Sequence, residues 1–70
     1  MLTSTVIAYY GNKARVARAL GIGKAAVSKW DMDGLVPPLR AAQLHQMTRG
    51  KLRFDPSDYK DWYRPQRSVA

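Results

Sequence analysis

The chain lacks two residue types that much site chemistry depends on. Its 70 residues include no cysteine and no glutamate. Without cysteine, neither a disulfide scaffold nor a thiolate zinc site can form. The single histidine, His45, has no second histidine or glutamate with which to share a metal ion or a proton, so we expect it at the surface. No nucleophile, base and orienting group occur together. We therefore expect no enzyme, no metal and no cofactor.

Long apolar runs are also missing. The longest near the start, Val6 to Tyr10, is too short for a signal sequence or a membrane span. The length suits one domain, which we expect over residues 1–63, with a flexible basic tail at 64–70. We expect a soluble, cytoplasmic protein with no membrane partner and no small-molecule substrate.

Negative charge is scarce. The chain has twelve lysines and arginines but only five aspartates, which gives a formal net charge of +7. Such a balance favours a polyanionic partner, either nucleic acid or an anionic membrane surface. No long segment has one basic and one strongly apolar face, which disfavours the membrane surface.

The strongest pattern covers residues 13–30, KARVARALGIGKAAVSKW. It reads as two short amphipathic helices joined near Gly21, the sequence form of a helix-turn-helix. Ala17 is expected where the helices approach most closely, and Gly21 where the turn needs a positive φ. The wedge between the helices is expected to contain Val16, Leu20, Ile22, Val27 and Trp30.

The second of these helices has two chemically different sides at about 100° per residue. Its inward side contains Ala26, Val27 and Trp30. Its outward side offers two ammonium groups, a hydroxyl and a methyl, which suit phosphates, base-edge acceptors and the thymine methyl. The residues predicted to face bases are Lys24, Ala25, Ser28 and Lys29. Each has a plainer alternative. The two lysines would only be solvated, Ala25 would be a small residue that allows close approach, and Ser28 would bond a phosphate or its own helix backbone.

Other cations are candidates for phosphate contacts, because the first helix of the motif normally crosses the DNA backbone. These candidates are Lys13, Arg15, Arg18 and Arg40. Three more cations either extend this surface or are only solvated: Arg49, Lys51 and Arg53.

Capping and turn residues predict an all-α domain of four to five helices. Thr3 or Ser4 caps the first helix, Asn12 the second, and Gly23 opens the third. We expect a loop over 31–34, a fourth helix from Pro38 with a stripe of Ala41, Leu44, Met47 and Thr48, ended by Gly50, and a last turn from Asp55 through Trp62. Residues 51–54 leave an α+β alternative with one short strand.

Two apolar features point either to the core or to a subunit interface. The aromatic group is Tyr59, Trp62 and Tyr63. Leu39 lies off the inward stripe of the fourth helix, which suggests an interface, although single exposed leucines are common.

Three segments, LGIGKAAVSKW, VPPLRAAQL and TRGKLRFDPSDY, resemble the Cro repressors of lambdoid bacteriophages and related prophage proteins. The resemblance runs from about Val6 to Tyr59. It implies a dimeric repressor of near-palindromic operators in a bacterial cytoplasm, with base-facing sites at the four outward positions and a phosphate or helix-end contact at Lys13. The family often has Gln in place of Lys13 and Ser or Thr in place of Gly23.

The sequence thus predicts a homodimeric, double-stranded-DNA-binding repressor that excludes polymerase from an operator. Two alternatives stay open. One is a toxin–antitoxin regulator of the same fold, and the other is a protein-interaction module that uses the helix-turn-helix without DNA.

Overall fold

The structure is a computed structural model that describes residues 1–60. Its elements are α1 Thr3–Tyr10, α2 Lys13–Leu20, α3 Lys24–Asp33, α4 Pro38–Met47 and a 3-10 turn Pro56–Tyr59. Within residues 1–60 the only strand-like pairing is an isolated antiparallel bridge between Leu2 and Leu35, and none occurs over 51–54. The all-α prediction is confirmed. Trp62, Tyr63 and the tail at 64–70 lie outside the described residues.

The start of α1 differs from the prediction. The N-cap is Leu2, and no side chain caps the helix. Thr3 is only 1% exposed, so its hydroxyl needs an interior partner, which is the carbonyl oxygen of Trp30. The first turn is also held by a backbone hydrogen bond, in which the Thr3 N–H donates to the carbonyl of Gly34 at 3.1 Å.

Both ends of α2 follow the prediction. The Asn12 side-chain oxygen accepts a 2.9 Å hydrogen bond from the backbone N–H of Arg15, which is an N-cap. Gly21 has φ +69° and ψ +34°, the left-handed conformation that glycine adopts most easily. The chain bends there and continues into α3 after Gly23.

The predicted loop at residues 31–34 is wrong, because α3 continues through Asp33. Aspartates are unfavourable near the negative end of a helix dipole, which made this segment look like a turn. The helix ends instead at Gly34, whose φ of +90° lets its N–H reach the carbonyl of Trp30 at 2.8 Å. One further turn of α3 therefore carries Asp31 and Met32 beyond the buried Trp30.

The end of α4 is partly as predicted. Pro38 begins the helix, but the helix ends at Met47, before Gly50. Met47 is 46% exposed and does not share the buried stripe. Thr48, the last member of the predicted stripe, is buried just beyond the helix, where its hydroxyl donates to the carbonyl of Leu44 and accepts from the N–H of Leu52.

His45 has a structural task that the sequence did not indicate. It is half-buried rather than a plain surface residue, and its Nδ1 accepts a 3.0 Å hydrogen bond from the backbone N–H of Phe54. This bond ties the extended segment 51–54 to α4. The Phe54 N–H is thus satisfied by a side chain rather than by a strand partner.

The last turn that the structure describes is a 3-10 turn over Pro56–Tyr59, and the predicted continuation through Trp62 lies outside the described residues. The Asp55 carboxylate caps this turn by accepting hydrogen bonds from the hydroxyl and the backbone N–H of Ser57, and these bonds lower the pKa of Asp55. Tyr59 is fully buried, and its hydroxyl donates to the carbonyl of Val36. Of the two alternatives for the aromatic group, Tyr59 therefore belongs to the core.

One hydrophobic cluster joins all the elements. Helices α1, α2 and α3 contact one another, and α4 and the 3-10 turn add their apolar side chains to the same cluster. Its buried members are Met1, Val6, Val16, Ala17, Leu20, Val27, Trp30, Val36, Ala41, Leu44, Leu52 and Tyr59. Within residues 1–60, none of the helices has both the length and the apolar character that a membrane crossing requires.

Candidate nucleic-acid interface

The two sides of α3 separate as the sequence predicts. Val27 is fully buried and Trp30 is 7% exposed, so both anchor the helix to the core. On the other side, Lys24, Ala25 and Lys29 are exposed and Ser28 is half-buried. The helix therefore presents a continuous outward face with two cations, a methyl group and a hydroxyl. The role of these four residues in reading bases stays a prediction.

Buried side chains of α2 and α3 pack beneath this face. Helix α2 packs against α3, and Ala17 in α2 is 5% exposed. The predicted wedge is present: its members are buried except Ile22, which is half-buried and packs on the edge of the core. The angle between α2 and α3 is thus held by side chains from both helices.

Lys13 is not a free cation. Its ammonium nitrogen lies 3.2 Å from Oδ2 of Asp31, which connects the first residue of α2 to the last third of α3. This partner was not expected, because residues 31–34 were predicted to form a loop. Gly34, four residues beyond Trp30, was the signal that α3 extends far enough to carry it.

The other predicted phosphate contacts lie on two different helices. Arg15 and Arg18 are exposed on α2, and the Arg15 side chain lies over Gly11. Arg40 lies apart from them on α4, where its guanidinium donates a 2.9 Å hydrogen bond to Oε1 of Gln43. Neither arginine of α2 forms an ion pair within residues 1–60. The structure therefore brings Arg15 and Arg18 into the helix-turn-helix and leaves Arg40 outside it.

The charges of the helix-turn-helix are unevenly distributed along α3. Its first six residues carry the cations Lys24 and Lys29, and its last three include Asp31 and Asp33. Phosphate oxygens would be attracted to the first part and repelled by the second. This polarity favours an approach to a polyanion with the N-terminal part of α3 leading.

Comparison with known proteins agrees with this geometry. A profile of the family described as "DNA-binding transcriptional regulator Cro" matches residues 2–63. The chain is 35% identical over 68 residues to "Repressor protein of division inhibition gene dicB" of Escherichia coli (strain K12), covering 97% of this chain and 88% of that protein. It is 37% identical over 60 residues to "Regulatory protein cro" of Salmonella phage P22, covering 86% and 95%. No solved structure is a significant match to the chain.

A helix-turn-helix with a buried wedge and a cationic outward face defines a class of proteins, the DNA-binding transcriptional regulators. Within that class, the profile match and the two relatives are specific. The chain belongs to the Cro family. The predicted resemblance is confirmed.

Proposed function

We propose that the chain is a sequence-specific repressor that binds double-stranded DNA as a homodimer at palindromic operators. The observation that carries the proposal is the outward face of α3, which is exposed at Lys24, Ala25 and Lys29 while Val27 and Trp30 fix the helix from behind. A helix held in this way fits the major groove with its N-terminal part leading.

Each outward side chain has a chemical partner on DNA. The ammonium groups of Lys24 and Lys29 suit the O6 and N7 acceptors of guanine, although less rigidly than a guanidinium would. The Ala25 methyl suits contact with the methyl group of thymine. The Ser28 hydroxyl donates or accepts, and so suits a base edge or a phosphate.

Phosphate contacts would supply the part of the affinity that does not depend on the sequence of the duplex. Arg15 and Arg18 on α2 are the main candidates, with Lys13 and Arg40 as further ones. Each neutralised phosphate releases condensed counterions, so this part of the affinity falls as salt rises. Bound over an operator, the protein would exclude polymerase. We propose the bacterial cytoplasm as the place of action, since operator DNA lies there.

We propose that a second copy of the chain packs on the outer face of α4. Leu39 is 80% exposed there, and it lines a shallow depression with Ala42, Gln43 and Gln46. Copies with a charge of +7 repel each other, and repulsion is smallest where the surface carries little charge. In α4 the only lysine or arginine is Arg40, which bonds Gln43. Two copies could therefore meet on this face.

Sedimentation equilibrium of Leu39→Glu tests that interface. We expect its dimer dissociation constant to rise at least tenfold, because two carboxylates would enter an apolar contact. Met32→Glu is the matched control, since Met32 is 88% exposed on α3 and should leave the constant within twofold. An unchanged dimer dissociation constant for Leu39→Glu would refute an interface on this face. A monomeric wild-type chain would refute the homodimer.

Selection of binding sites from random duplexes tests the function itself. We expect an inverted repeat whose half-sites lie about one helical turn apart, roughly 34 Å, as two-fold symmetry requires. Enrichment of a single, unrepeated site would contradict the dimer. No enrichment, with no salt-dependent binding by fluorescence anisotropy, would favour an interaction module without DNA.

A further inference from the structure

The ion pair between Lys13 and Asp31 has a consequence for DNA binding. It joins the first residue of α2 to α3, and its two charged atoms are 3.2 Å apart. The first helix of a helix-turn-helix normally crosses the DNA backbone, so in the proposed function the Lys13 ammonium would lie within reach of a phosphate. In the free protein that ammonium is already paired with the carboxylate of Asp31. A phosphate oxygen would have to replace it.

We propose that Asp31 competes with DNA phosphate for Lys13 and thereby sets the affinity of the protein for duplex DNA. The inference rests on the proposed function, because it assumes that α2 lies against the DNA backbone. Asp31 touches no DNA in this account. It is a positioning residue that acts through Lys13.

The exposure of the pair determines how strongly it can compete. The side chains of Lys13 and Asp31 are 35% and 43% exposed, so water screens their attraction and the exchange is reversible. Pairs of this kind change an equilibrium by about two- to fivefold. A buried pair would hold Lys13 more tightly, and a fully exposed pair would compete less.

The salt dependence of binding reports the exchange directly. A lysine whose carboxylate partner stays beside it neutralises a phosphate only in part, so it releases fewer of the counterions condensed on DNA than a lysine without such a partner. Removing the carboxylate restores the full contribution of Lys13. The slope of log affinity against log salt then becomes steeper by about one.

The test compares Asp31→Asn with wild type on a random-sequence duplex, measured by fluorescence anisotropy from 50 to 200 mM KCl. We expect Asp31→Asn to bind about two- to fivefold more tightly at the lowest salt, with a slope steeper by about one. Asp33→Asn is the control: it removes the same charge from the same helix, but Asp33 forms no ion pair within residues 1–60. It should show a smaller gain and an unchanged slope.

A second background removes the lysine. In Lys13→Ala chains, adding Asp31→Asn should leave the slope unchanged and raise the affinity no more than Asp33→Asn does in the wild-type chain, because no cation remains to be released. If the full gain persists without Lys13, or if Asp33→Asn shows an equal gain, the effect is a general one of charge and the proposal is overturned. Asp31→Asn binding no more tightly than wild type would also overturn it. If the wild-type protein does not bind duplex at all, the proposed function fails instead, so the two failures are distinguishable.

Discussion

The hydroxyl of Thr3, in the first turn of α1, donates a 2.9 Å hydrogen bond to the carbonyl oxygen of Trp30 in α3. The same carbonyl accepts from Gly34 N–H, which ends α3. Trp30 lies on the inward side of the helix whose other side is proposed to read DNA. A buried polar contact from α1 thus helps to hold the proposed recognition helix from behind.

Replacing Thr3 with valine keeps the shape of the side chain and removes this bond. We expect a loss of about 1 kcal/mol in the free energy of unfolding, since the Trp30 carbonyl keeps its second donor. Urea denaturation measures it. Thr5→Val makes the same substitution at an exposed position of α1 and should change stability by less than about 0.5 kcal/mol. Equal effects at the two sites would show that the bond contributes nothing.

Replacing Gly21 and Gly23 with serine should change the stability of the protein in opposite directions. A Cβ at either position meets no atom within 4 Å, so crowding plays no part. Gly21 has φ +69°, and a side chain there costs about 1–2 kcal/mol. Gly23 is an N-cap with φ −77°, where a serine hydroxyl can accept from the first turn of α3 and stabilise by a few tenths of a kcal/mol. Thermal melts of the two variants compare them, and shifts of the same sign would contradict this account.

His45→Ala leaves the Phe54 N–H without its acceptor. We expect a loss of about 1–3 kcal/mol in the free energy of unfolding, because this group is partly buried. His45→Asn should recover much of the loss, since its side-chain oxygen can lie near the place of Nδ1. If urea denaturation finds both variants equally unstable, the contribution of His45 is packing rather than this bond.

Arg18 tests the phosphate contacts proposed for α2. Arg18→Gln should weaken binding to operator and random duplexes by similar factors and make the salt slope shallower by about one. Arg18→Lys, which keeps the charge, should preserve the slope. Loss of operator binding alone would instead make Arg18 a sequence reader.

The sequence predicted those features that depend on local backbone chemistry. Asn12 as an N-cap, Gly21 at positive φ and the two-sided pattern of α3 each follow from a few neighbouring residues. These features were sufficient to indicate the helix-turn-helix and the outward face of α3.

What the sequence did not predict depends on contacts between distant segments. Thr3 resembles a helix cap, and only its burial against Trp30 shows another role. The segment from Asp31 to Gly34 resembles a turn, yet Gly34 ends a longer helix there and its carbonyl accepts from Thr3. His45 had no visible partner because Phe54 offers a backbone group, which no side-chain pattern reveals.

Lys29→Ala tests the central claim, that the outward face of α3 reads sequence, most directly. Its affinity for the selected operator and for random duplex should be measured beside Lys60→Ala, which removes the same charge at an exposed site outside the helix-turn-helix. We predict a loss of about 1–3 kcal/mol on the operator and a clearly smaller loss on random duplex. Equal losses on the two duplexes, or an operator loss no larger than that of Lys60→Ala, would contradict the claim.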